Sequence, residues 1–158
     1  MQDKYPFVEF DSMCLISIDS KDFADAIDSI YIENNHALIN DYMQKPLAYN
    51  SQTCNQNDIK SIIDFFSKKS IWNSEIAVAC EPIFRNAILC YNKSKLVSTT
   101  LICFDCQIFL FQPTKSNNDD DIFIEDIKMI KDVFEKNGLK AKHVFEQTIV
   151  SPPPPPPK

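Results

Sequence analysis

The sequence predicts a single α+β domain in which an antiparallel sheet of hairpins and meander connections packs against about three helices. Three observations carry this expectation. Apolar, β-favouring runs concentrate between residues 76 and 111, amphipathic stretches with helical spacing lie on both sides of that block, and the 158 residues suffice for one core but hardly for two. The globular unit is expected over residues 1–148. Residues 149–158, with Pro152–Pro157, read as a disordered polyproline II tail, solvated rather than engaged with an aromatic groove.

Residues 7–18 are rich in strand formers and run into the polar Asp19-Ser20-Lys21, which predicts a first strand. Phe23, Ile27, Ile30 and Tyr31 then recur at helical spacing behind a Ser20 cap, with Asp22 and Asp25 near the positive helix end, so a short helix is expected over 22–32. Residues 34–57 give mixed signals, with a helical turn around 37–43 and a break at Pro46. A second helix over 57–68 follows from the stripe Ile59, Ile62, Ile63 and Phe66, with Asn57 as its cap and Lys68-Lys69 at its C-terminal end.

Three β segments come next, at 76–80, 87–91 and 96–111, the last two joined by a hairpin connection at Asn92-Lys93-Ser94-Lys95. In an extended chain Leu96, Ile102, Phe104, Cys106, Ile108 and Leu110 share one side of the last run, with Asp105, Gln107, Leu101 and Phe109 on the other. A bend near Cys106 would split it into two strands. Residues 112–121 read as a loop whose acidic end caps a third helix over 122–137, striped by Phe123, Ile127, Ile130 and Phe134. Gly138 follows where helices commonly end in the left-handed conformation, and residues 140–150 read as a final extended segment.

Composition excludes several activities. A single glycine leaves no material for a glycine-rich phosphate loop, a dinucleotide fingerprint or a nucleophile elbow. Two histidines, His36 and His143, are too few for a multi-histidine metal centre and are too isolated to assign to catalysis. No cofactor is expected. The net charge of −6 is uneven: residues 1–60 carry ten acids and four bases, residues 61–158 twelve of each. With Arg85 the only arginine, the chain lacks the clustered cations that nucleic acid requires, whereas a basic protein partner suits an acidic face. No run reaches the roughly 18 apolar residues of a membrane span, and the N-terminus is no secretory signal. As written the chain reads as cytoplasmic; behind a removed signal it would be periplasmic or lipoprotein-anchored.

The six cysteines hold one motif, Cys103-Phe104-Asp105-Cys106. Zinc ligation, dithiol redox chemistry, and structural thiols or a bridge to a distant cysteine such as Cys80 all compete for it. In an extended strand residues three apart point to opposite faces about 10 Å apart, so the first two uses need a turn at Phe104-Asp105. A thioredoxin-type pair would also need a following helix, and Gln107-Ile108-Phe109-Leu110-Phe111 reads as strand. Cys14, Cys54 and Cys90 read as small buried apolar residues. Glu81 and Arg85 flank Pro82 as an ordinary ion pair. Asp119-Asp120-Asp121 matches a calcium loop only in charge.

Cys80-Glu81-Pro82-Ile83-Phe84-Arg85-Asn86, followed by Ile102-Cys103-Phe104-Asp105-Cys106 and the amphipathic segment ending at Gly138-Leu139, resembles a family of small bacterial proteins frequent in Bacteroidetes. That family carries a Cys-x-Pro turn and an Ile-Cys-Phe-x-Cys strand. The resemblance spans roughly residues 76–139 and departs from the pattern at Ile83-Phe84, inserted before Arg85, and at Asn86, where histidine is common. Many members are exported proteins or lipoproteins, so the resemblance implies an oxidising setting and a bridge from Cys80 to the Cys103/Cys106 motif. The family implies no activity.

Together these features point to a non-enzymatic binding protein of the kind bacterial immunity proteins exemplify, neutralising a basic toxin domain through its acidic N-terminal part. Asp22, Asp25, Asp28 and Glu33 are the candidate contacts. The alternative is a thiol protein using Cys103 and Cys106, with Cys80, for zinc or redox chemistry.

Overall fold

The computed structural model describes residues 6, 8–18, 49–72, 80, 82, 84–112 and 121–141. In chain order these form β1 (Ser12–Ile18), β2 (Tyr49–Thr53), α1 (Gln56–Phe66), a 3-10 turn (Lys69–Trp72), β3 (Asn86–Asn92), β4 (Lys95–Cys103), β5 (Ile108–Gln112), β6 (Asp121–Phe123) and α2 (Lys128–Lys136). The strands make one six-stranded sheet in the order β2-β1-β3-β4-β5-β6, with every pairing antiparallel. The α+β class holds. Of about three expected helices, two α-helices and one 3-10 turn lie among the described residues, and the helix expected over 22–32 lies outside them. The same is true of residues 76–79, His36, His143 and the tail.

The central strands β1, β3, β4 and β5 bury residues on both faces of the sheet, so β3 and β5 read as near-continuous apolar runs rather than clean alternations, whereas residues 50–53 of the edge strand β2 are polar and exposed. On one face Met13, Leu15, Ile88, Ile102, Phe109 and Phe111 pack with Ile59, Ile62, Phe65 and Phe66 of α1 and Ile130, Val133 and Phe134 of α2. Phe66 is the hub: its ring meets Phe65, Phe109 and Phe111 edge-on, at centroid distances of 5.0, 5.8 and 5.5 Å. Ile16, Ala87, Leu89, Leu101, Ile108 and Leu110 form the other face, together with Phe84, Cys103 and Cys106.

The cap of α1 lies two residues earlier than predicted. Asn55, not Asn57, accepts the Asp58 backbone N–H at 2.9 Å and so satisfies one of the orphan donors of the first turn. The segment after α1 is tied back by Trp72, whose indole N–H donates to the Phe66 carbonyl at 2.9 Å. Between β3 and β4, Lys93 and Ser94 take φ of 49° and 64°, the left-handed pair that matches a two-residue hairpin to the twist of its strands. Asp11 accepts the Lys93 N–H at 2.7 Å.

Three expectations are corrected. The mixed region before α1 contains β2, which pairs with β1 from Cys14↔Thr53 to Ile18↔Tyr49. The run 96–111 splits at the bend expected near Cys106, a turn over residues 104–107 in which Gln107 takes φ of 57°, and what is corrected is the shared side of its residues. The turn reverses the chain, so Leu101 pairs with Leu110 and Ile102 with Phe109. Ile102 therefore packs on the helical face and Leu110 on the opposite one, not on one shared side. The third helix begins at Lys128 rather than 122, because residues 121–123 pair with β5 as β6. Its N-cap position is Ile127, with no side-chain cap, so the acidic run does not cap it.

The end of α2 agrees with expectation. Gly138 takes φ of 76°, its N–H reaches the Glu135 carbonyl at 3.0 Å, and the Leu139 N–H reaches the Phe134 carbonyl at 3.0 Å. This paired closure returns the chain to the core, where Leu139 is buried. No described helix is long and apolar enough to cross a membrane.

Candidate functional site

The site with most chemistry lies where β4 turns into β5. Cys103 ends β4, and the turn over 104–107 swings Cys106 back so that its N–H donates to the Cys103 sulfur at 3.4 Å. The strand geometry expected for this motif, two thiols on opposite faces, is thus replaced by a turn that places both in the same apolar cluster. Cys106 is joined by a disulfide to Cys80, with 5.8 Å between their Cα atoms and 26 residues between them in sequence. Cys80 is half-buried; Cys106 and the free thiol of Cys103 are buried.

Other groups hold the turn. Gln107 donates from its side-chain amide to the carbonyls of Ile124 and Glu125, and its own carbonyl accepts the Ile124 N–H at 3.0 Å, which fastens the turn to the segment before α2. At the turn's outer side Asp105 pairs with Arg85 at 3.7 Å. The Arg85 side chain is 11% exposed and that of Asp105 52%, so the pair bridges buried surface and solvent. Glu81, the partner expected for Arg85, lies outside the described residues.

The remaining cysteines are not activated. Burial pushes the Cys54 and Cys90 thiols up to about 12 and raises Cys14 as well. The thiolate is the reactive form, so these positions are chemically quiet near neutral pH. Among the described residues no cluster of three or more His, Cys, Asp or Glu is placed to hold a metal ion.

A second feature is an open groove of about 350 Å³ between the 3-10 turn and α2. Phe65, Ile71 and Met129 supply its apolar part, and Lys68 and Lys128 balance Asp126 and Asp132 in its charged part, so it has no dominant sign. No local pattern marks it, because its residues come from elements about 60 positions apart.

Of the candidate residues read from sequence, the structure brings Cys80, Cys103 and Cys106 together. Asp22, Asp25, Asp28 and Glu33 lie outside the described residues. No protein-family model, curated protein or solved structure matches the chain.

Proposed function

We propose that the protein is a non-enzymatic binding protein that takes a basic protein partner, as immunity proteins take toxins. The observation that carries this reading is the segregation of charge, ten acids against four bases in residues 1–60 and an even balance beyond. A one-sided field raises the encounter rate with a basic partner and fixes its orientation. Asp22, Asp25, Asp28 and Glu33 are the proposed contacts. Kinship with the small exported bacterial proteins that share the Cys-x-Pro and Ile-Cys-Phe-x-Cys strings belongs to the same proposal.

The test is affinity purification of the full chain from its native cell at low salt, beside a variant carrying Asp22→Asn, Asp25→Asn, Asp28→Asn and Glu33→Gln. The reading predicts one basic protein retained one-to-one by the wild type, eluted by added salt and lost from the variant. A stoichiometric partner held equally by both proteins, or none with the wild type, contradicts it.

A second reading, a thiol protein, is favoured by the turn itself, which brings Cys103 and Cys106 to one side of the chain. Zinc or dithiol chemistry at this pair first requires the Cys80–Cys106 bond to be reduced. Zinc titration of the reduced protein, read by equilibrium dialysis, tests it: one tightly held zinc per chain supports it and none removes the zinc form.

A further inference from the structure

Cys103 is not merely a third sulfur in an apolar cluster. It shares a four-residue turn with one end of the disulfide, its sulfur is addressed by the backbone N–H of Cys106, and burial keeps outside reagents away from it. An intramolecular partner faces no such barrier, because Cys106 belongs to the same turn and the same cluster. At the other end of the bond, Cys80 is half-buried and so has a path to solvent that neither Cys103 nor Cys106 has.

We propose that Cys103 is an internal exchange thiol for the Cys80–Cys106 disulfide. In the step, the Cys103 thiolate attacks the Cys106 sulfur, a bond forms between Cys103 and Cys106, and the Cys80–Cys106 bond breaks. The electron pair leaves on Cys80, which takes up a proton equivalent to the one lost from Cys103. One disulfide and one thiol are present before and after, so no outside oxidant or reductant is needed. The product exposes a reactive thiol at Cys80 and removes the covalent tie between Cys80 and the β4–β5 turn.

The exchange is directional in what it does to the chain. A bridge closing 26 residues becomes one closing three, and the shorter loop restrains the unfolded and partly opened chain less. The Cys80–Cys106 form is the stapled state, and the Cys103–Cys106 form is an unstapled state whose Cys80 thiolate can attack a partner's disulfide, forming a mixed disulfide while the partner's other sulfur leaves as a thiolate. This inference is independent of the binding reading. It narrows the thiol reading to exchange within the chain, which needs no zinc.

The experiment uses the full chain, purified without reductant and held at about pH 8.5, where a larger share of thiols is ionised. Samples are acid-quenched over hours, alkylated, digested and mapped by mass spectrometry. The proposal predicts that alkylated Cys80 and the Cys103–Cys106 peptide rise together at equal amounts, and that Cys103→Ser abolishes both while keeping the Cys80–Cys106 bridge. An unchanged Cys80–Cys106 map in the wild type overturns it, as does a Cys80–Cys103 bridge with Cys106 released. Zinc binding by the reduced protein, measured separately, bears on the broader thiol reading and not on this outcome.

Discussion

The Lys136 ammonium on α2 lies against the carboxylate of Asp58 in the first turn of α1, and Asp58 is fully buried. Asn137 completes the arrangement, donating from its side-chain amide to the other Asp58 oxygen at 3.0 Å and to the Val133 carbonyl at 2.8 Å. Two helices far apart in sequence are therefore tied by one buried charge. Burial alone raises the Asp58 pKa, but the hydrogen bonds from Lys136 and Asn137, with the Lys136 charge, outweigh it and leave the carboxyl below its ordinary value.

A carboxyl depressed on folding stabilises the native state above its unfolded pKa, and that contribution is lost as pH falls through the lower folded value. Urea unfolding of the wild type should therefore weaken on acidification below about pH 4, the ordinary range of Asp. Asp58→Asn should flatten that acid limb. Lys136→Met leaves the carboxylate buried without its cation and should cost about 3 kcal/mol at neutral pH. Equal acid sensitivity in wild type and Asp58→Asn would remove Asp58 from the account.

The β3–β4 hairpin carries a correctable strain. Lys93 and Ser94 both sit at positive φ, where side chains with a Cβ are disfavoured and Asn-Gly is preferred. Replacing Lys93-Ser94 by Asn-Gly should stabilise the protein by about 0.5–1 kcal/mol, seen as a higher urea midpoint with an unchanged slope. A lower midpoint would mean that the native side chains make contacts worth more than the backbone strain.

Burial and raised thiol pKa values also predict a labelling order. At about pH 8, iodoacetamide should leave Cys54 and Cys90 unmodified in the native protein and modify both once it is unfolded in urea. Rapid native labelling of either would show that its part of the helical-face core opens far more often than its burial implies.

Elements with internal periodicity were legible in the sequence. The stripe of Ile59, Ile62, Ile63 and Phe66 marks α1, Asn92-Lys93-Ser94-Lys95 marks the hairpin, and Gly138 marks the end of α2. β2 was not, because Tyr-Asn-Ser-Gln-Thr has no apolar alternation and owes its strand conformation to pairing with β1. The Cys103–Cys106 turn was disguised. Phe104, Cys106 and Ile108 alternate as a strand would, so a bend near Cys106 was legible only as an option, and the positive φ of Gln107 and its bonds to residues 124 and 125 show that the chain reverses there. The Asp58–Lys136 pair and the choice of Cys106 over Cys103 as the partner of Cys80 depend on tertiary packing, which no local spacing encodes.

One disulfide staples Cys80 to the β4–β5 turn while Cys103 remains a thiol beside it. A peptide map tests this on protein purified without reductant, acid-quenched at once, and unfolded in urea for alkylation before digestion. The freshly quenched protein should show a Cys80–Cys106 bridge, with Cys14, Cys54, Cys90 and Cys103 alkylated. Cys80 found as a free thiol with Cys106 unbridged, or Cys103 bound to a residue other than Cys106, would contradict it.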